Sequence, residues 1–490
     1  MAMTPSSASA HTNKHPGKAE TSLARQLVKK ADGADANRHL VAFQRIADRN
    51  GGTRASGTPG YDASVEYVAG LLRRSGYRVT TPEFTYDERV AADGTLVVGT
   101  QTFTLGLLQE SIAAPAGGVT APMVVLPEDA TPGCEAGDFA GGDYTGDIVV
   151  IRRGACNFIV KAQNAAAAGA IHVIISNTET GTDLLNGTLG EPATIPVGFV
   201  DFATGNTLVG LSGQTATADP SVEIRTMTSR NVIAQTRKGR TDNVVMAGAH
   251  LDSVEAGPGI NDNGTGSAGL LEVALELGGR ATVKNAVRFA WWGTEELGLV
   301  GSQAYVDSLS FEQQLDIALY LNFDMIGSPN AAYFVYDGDD SDAVGAGPGP
   351  YGSAQIEETL ASFIEDRLGV PTQGTDFTGR SDYGGFIAVG IPAGGLFTGA
   401  EGIKTAEQAA LWGGTAGIAY DPCYHAACDN LGNVDRRAFD RNIDAIAWSV
   451  GSYATSTREV NGTVSERRLV TLRKAGARSA PTPTLTGVRR

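Results

Sequence analysis

From residue 244 to 460 short apolar runs alternate with helical patterns, and this rhythm constrains the fold more than anything else in the chain. The runs "NVVMAGA", "NAVRFAWW", "LYLNFDMI" and "PAGGLFTG" are apolar at most positions, as strands buried on both faces are. Between them lie helical stretches such as Ser267 to Leu277, and a closing one near Asp440 to Tyr453. That alternation predicts a mainly parallel, doubly wound mixed α/β sheet with helices on both faces. Reactive groups in such sheets stand just past the carboxyl ends of the strands.

Applied here, the rule collects a polar set. "NVVMAGA" delivers His250, and the glycine-rich loop after it supplies Asp252 and Asp262. The run ending in Trp292 leads to Glu295 and Glu296, "LYLNF" leads to Asp324, and "YDPCYHAACD" presents His425. Singly, each has an ordinary explanation: a strand-end histidine is usually hydrogen-bonded surface, and paired glutamates often open a helix. However, the chain has only six histidines, of which His11 and His15 lie in a polar leader, His39 in a helix and His172 in an inserted segment. The other two fall in acidic, glycine-rich loops at strand ends. Carboxylates crowded in one cleft repel unless a cation joins them. Two divalent ions bridged by one carboxylate would solve this, and mixed nitrogen and oxygen ligation points to zinc.

Before the sheet, a helical pattern starts at Asn37 and a second is capped by Asp62. Between about 89 and 226 the texture changes to short strands and turns around one Ala-rich helix, "NFIVKAQNAAAAGA". The expected organisation is therefore a polar leader over 1–36, a discontinuous main domain over 37–88 and 227–460, a small β-rich α+β insert over 89–226, and a basic tail over 461–490.

A net charge of −16 argues against nucleic acid or an anionic membrane as partner. No apolar run is long enough to span a bilayer, and a signal peptide is not evident in the leader. Cys134 lies near Cys156, and Cys423 near Cys428. Two such pairs suggest two disulfides and an oxidising, extracellular setting; a four-cysteine zinc knuckle is the less favoured alternative, since neither pair has C-x-x-C spacing.

The motifs "MAGAHLDS", "GINDNGTGSAG", "FAWWGTEELGLVGS", "NFDMIGSP", "GGLFTGA" and "CYHAACD" resemble, in this order, the co-catalytic di-zinc aminopeptidases of family M28. The stretch "GDIVVIRRGACNFIVKAQNAAAAGAIHVIISN" resembles a protease-associated domain. The resemblance implies two zinc ions per chain. His250 and Asp324 would hold one, Glu296 and His425 the other, with Asp262 bridging. It implies Glu295 as general base on a metal-activated water, Asp252 supporting the His250 ring, and Tyr424 hydrogen-bonding the oxyanion. Arg380, Phe397 and Met325 would meet the substrate, a peptide with a free, preferably Leu, Met or Phe, N-terminus. A calcium site is half matched: Asp440 and Asp444 fit, but the N-terminal aspartate falls on Lys30. A secreted monomer is expected. The rival readings are a carboxypeptidase or glutaminyl cyclase of the same fold, or a receptor-like relative without metal.

Overall fold

The computed structural model describes residues 21–461 apart from 92–93, 109–110, 179–188, 190–192, 221 and 346. The basic tail from residue 462 and the first twenty residues of the expected leader lie outside these. The chain forms two compact units, one running to Tyr86 and resuming at Thr228, the other spanning Asp87–Met227.

The first unit is built on an eight-stranded sheet: β1 (Arg78–Thr80), β2 (Val232–Gln235), β3 (Arg240–His250), β4 (Asn285–Trp292), β5 (Ile317–Phe323), β6 (Phe334–Tyr336), β7 (Gln373–Thr375) and β8 (Ala393–Phe397). Their order is β1-β2-β4-β3-β5-β8-β6-β7. The central four, β4, β3, β5 and β8, run parallel, while β1, β2 and β6 join antiparallel. Alternation along β4 shows why the strands read as continuous apolar runs. Phe289 and Trp291 enter one core with Ala247 and Leu321, whereas Ala290 and Trp292 enter another with Met246 and Tyr320.

The helices α1 (Thr21–Val28), α2 (Gly33–Arg49), α3 (Pro59–Arg74), α4 (Gly266–Leu277), α5 (Ser353–Leu368) and α6 (Arg436–Thr455) supply most of the first of these cores, and the short helix Arg458–Asn461 adds Val460. The second core takes Val306 and Phe386 from the short helices Val300–Asp307 and Gly384–Ala388. Helices therefore face both sides of the mixed sheet.

One expectation needs correcting. The polar leader was expected to reach residue 36, but Ala24, Leu27 and Ala31 are buried, and α1 packs on α6. A close approach makes this possible, since a Cβ at Gly451 would strike the Ala24 backbone. Two apolar residues per turn suffice to dock so short a helix, and the polar surroundings hide them.

The second unit is a closed barrel of seven strands with the helix Phe158–Ala167 against its outside and a further helix, Phe202–Val209, giving Leu208 to its interior cluster. Val149, Ile151, Val173 and Ile175 face Ile159, Ala162 and Ala165 of the first of these helices, while Ile148, Val150 and Ile174 fill the barrel with Leu96 and Met123. A disulfide joins Cys134 to Cys156.

Topology places the functional region. The chain leaves β3 for β4 on one side and later returns as β5 on the other, all three parallel. Such a reversal opens a crevice at the carboxyl end of the central strand.

Candidate metal centre

His250 is the last residue of β3 and is buried. Its Nε2 lies 3.2 Å from Asp262 Oδ1 and 3.3 Å from Asp324 Oδ1, the latter side chain following β5 directly. Asp262 then turns its other oxygen to a second group. His425 Nε2 lies 3.3 Å from Asp262 Oδ2 and 3.0 Å from Glu296 Oε2. Two three-residue groups thus share one aspartate, and within each the donor atoms lie within 4.8 Å of one another.

Supporting contacts aim these side chains. Ser381 Oγ donates to Asp324 Oδ2 at 2.6 Å, and Asn322 Nδ2 donates to that hydroxyl at 2.8 Å. Asp324 Oδ1, the atom that faces His250, and Glu296 Oε1 are buried without a hydrogen-bond partner. The backbone amides of Asn261 and Asp262 donate to the two oxygens of Asp429. His425 adopts φ 55° inside a six-residue loop closed by the Cys423–Cys428 disulfide. No cysteine is free, so the zinc-knuckle alternative does not occur.

Asp252 lies against the His250 ring and also reaches the glutamate pair. Its carboxylate stays 3.6 Å from His250 Nδ1, which instead faces the Asp252 carbonyl at 3.2 Å. The carboxylate accepts the backbone amides of Glu295 at 3.2 Å and Glu296 at 3.3 Å. One residue therefore orients the ring through its main chain and the glutamate pair through its side chain.

The electrostatics show a site short of positive charge. Burial disfavours a charged His250, yet the surrounding carboxylates, Glu295 and Asp324 foremost, hold its pKa well above the usual value. For His425 the burial penalty is likewise outweighed, by Asp262 and Glu296, and its pKa rises to about 10. Burial is the main cause that lifts Glu295 well above the usual carboxyl range and Glu296 to about 7. Asp262 moves down, because hydrogen bonds and charge from both imidazoles overcome its burial.

Zinc fits the donor set. A tetrahedral ion with ligands at about 2.0–2.1 Å spaces them about 3.3 Å apart, close to the 3.0–3.3 Å found in both groups. The two bare, buried carboxylate oxygens point the same way, because such atoms are costly without a partner.

A family model described as "Peptidase family M28" matches residues 231–450, and a "PA domain" model matches residues 119–208. The chain is 48% identical to the "Probable lipoprotein aminopeptidase LpqL" of Mycobacterium tuberculosis over 86% of its length and 85% of the relative's. It belongs to peptidase family M28. An aminopeptidase of Pseudomonas aeruginosa is 44% identical over 87% of this chain and 82% of the relative. Among solved structures, a zinc aminopeptidase from Bacillus subtilis aligns with TM-score 0.61 and 25% identity over 86% of this chain and 95% of the other.

The remaining expected residues of this M28 peptidase stand around the centre in different ways. Glu295 is buried, with Oε2 3.9 Å from His250 Nε2, outside both three-residue groups. Tyr424 stacks on His425 with ring centroids 3.8 Å apart. Met325 is buried directly after Asp324, its amide donating to Asn263 Oδ1 at 3.1 Å. Phe397 ends β8 and stacks on Phe334. Arg380 is exposed and pairs with Glu401 at 3.1 Å.

At the expected calcium position Lys30 pairs with Glu276, and the carboxylate near Asp440 and Asp444 is that of Asp32. Asp440 Oδ1 accepts the Gly33 amide at 2.7 Å. Burial, then the charges of Asp440 and Asp32, raises the Asp444 pKa to about 7. Among the described residues these three do not converge as the histidine groups do. Sequence reasoning gave no role to Ser381, nor to Asp429, although Asp429 ends the quoted stretch "YDPCYHAACD".

Proposed function

We propose that this M28 peptidase is a secreted zinc aminopeptidase that holds two zinc ions and releases N-terminal, preferably large hydrophobic, residues from peptides. The observation that carries this reading is the pair of histidine–carboxylate groups joined through Asp262, with donor atoms 3.0–3.3 Å apart. His250 and Asp324 would hold one ion, Glu296 and His425 the other, and Asp262 both. Two disulfides and the names of the aligned relatives support the oxidising setting and the aminopeptidase assignment.

When bound, zinc supplies Lewis acidity that makes a water more acidic and polarises the scissile carbonyl. Glu295, free of the ligand groups, takes a proton from the attacking water and passes it to the leaving amine. Asp252 keeps that glutamate in place through its amide. The Tyr424 hydroxyl would donate to the oxyanion as it forms. Acidic groups around Glu295 and Asp324 would attract the substrate's free α-amine, Phe397 and Met325 would meet its first side chain, and Arg380 would face the following residues.

Hydrolysis of Leu-p-nitroanilide, measured with and without a chelator, tests this. A peptide blocked at its C-terminus should be cleaved and one blocked at its N-terminus should not. Cleavage of only the N-blocked peptide would make the protein a carboxypeptidase.

A further inference from the structure

One buried charge near the centre has no part in the chemistry above. Arg54 lies between α2 and α3 and is fully buried. Its guanidinium donates to main-chain carbonyls: Nε to Pro258 at 2.8 Å, Nη2 to Gly259 at 2.6 Å, and Nη1 to Leu251. Its own amide donates to Ser253 Oγ at 3.0 Å, and the neighbouring Thr53 hydroxyl donates to the Val254 carbonyl at 2.9 Å. Every one of these contacts falls within residues 251–259, the loop that separates His250 from Asp262.

That loop touches each part of the centre. It begins at His250 and ends beside Asp262. Gly259 takes φ 58°, and a Cβ there would strike Ser253 and the Asp262 carbonyl. At Gly257 a Cβ would strike the Ala426 carbonyl, so the loop lies directly on the disulfide loop that carries His425. The Arg54 guanidinium also feels the charges of Asp252, Asp429, Asp262 and Glu296. Neutral donors could tie down a loop, and a buried cation is costly unless nearby negative charge offsets it. Its charge, acting with those four carboxylate charges, therefore has an electrostatic meaning as well as a structural one.

We propose that Arg54 is a positioning residue of the metal centre: its three carbonyl contacts set the loop that fixes His250, Asp262 and His425 relative to one another, and its charge offsets their carboxylate partners. This rests on the two-ion reading above. The planar guanidinium is suited to the task because it reaches three divergent carbonyls at once, whereas a lysine ammonium is a single point charge on a flexible stem.

The test compares the full-length wild type with R54K and R54M. Metal-free samples are titrated with zinc against a chromogenic chelator, their thermal unfolding is recorded, and kcat and KM for Leu-p-nitroanilide are measured at saturating zinc. R54M should bind zinc about 10–100-fold more weakly, and its kcat should fall with little change in KM. R54K should recover part of both losses, since it restores charge without the fork. If R54M does not fold, the same readings on R54K decide. Wild-type zinc affinity and kcat in a folded variant, even one that melts earlier, would overturn the proposal and leave Arg54 a strut of the fold. If wild type itself took up no zinc, the two-ion reading would fall and the Arg54 role with it.

Discussion

Asp429 holds Asp262 by its main chain: Asp429 Oδ2 accepts the Asp262 amide at 2.9 Å, while its Oδ1 accepts the adjacent Asn261 amide at 2.8 Å. The residue shared by both donor groups is thus aimed by a carboxylate that itself joins neither group. Asn433 Nδ2 steadies that carboxylate at 3.1 Å. Replacing Asp429 with alanine should weaken zinc binding about 10–100-fold, the range found when residues supporting metal ligands are removed. Chelator competition on the folded variant is the measurement, and an unchanged affinity would show that Asp262 needs no such support.

The dialysed, active protein should contain two zinc ions per chain by elemental analysis. Glu295→Gln should retain both and lose several orders of magnitude in kcat, because the amide cannot accept a proton. One ion or none would sink the two-metal reading. A nearly active variant would move the proton to another acceptor.

Opening the Cys423–Cys428 disulfide should cost activity more than stability. So short a loop contributes about 2 kcal/mol by closure entropy, but it holds His425 at φ 55° with its ring against Glu296 and Asp262. A Cys423→Ser/Cys428→Ser variant should remain folded at 25 °C and bind less than two zinc ions. Full zinc content with normal kcat would show that the loop keeps its shape unaided.

His172 should make the inserted unit acid-sensitive. It is buried in the strand His172–Ser176, and burial lowers its pKa to about 4, below the value near 6.5 of an unfolded chain. The neutral ring is therefore favoured on folding. Its contribution is complete above about pH 6.5 and is lost progressively as pH falls toward 4, amounting to about 2 kcal/mol by pH 5. Calorimetry at pH 7.5 and pH 5 should show this loss in wild type and a smaller one in His172→Val. Equal losses in the two proteins would place the sensitivity elsewhere.

Much of this centre was legible because its chemistry falls at strand ends. His250, Asp324 and the Glu295–Glu296 pair follow apolar runs that only a two-sided buried sheet explains, a glycine-rich loop marked Asp262, and the local cysteine pair marked His425. The supporting contacts were not legible for an equally physical reason. Arg54, Ser381 and Asp429 act through hydrogen bonds, most of them to main-chain atoms far away in sequence, and no spacing rule announces such a partner. Asp252 stood in the expected place, but nothing in its sequence position says that its carboxylate serves the glutamates and its carbonyl the ring. Helix α1 escaped notice because Ala24 and Leu27 are too few to make a recognisable stripe.

The barrel sits within the connection between β1 and β2, two strands that pair antiparallel, Arg78 opposite Gln235, at the sheet edge. Everything from Asp87 to Met227 lies between them. Were that segment a random coil, the edge pairing would have to close a very long loop, at a cost growing by about 0.6 kcal/mol with each doubling of length. The ribbon formed by Glu83–Ala91 and Val222–Arg230 changes the terms. Once the barrel has folded and this ribbon has zipped, the two strands are brought together like those of a short hairpin. A prefolded insert would therefore lower the entropy cost of closing this edge of the peptidase sheet.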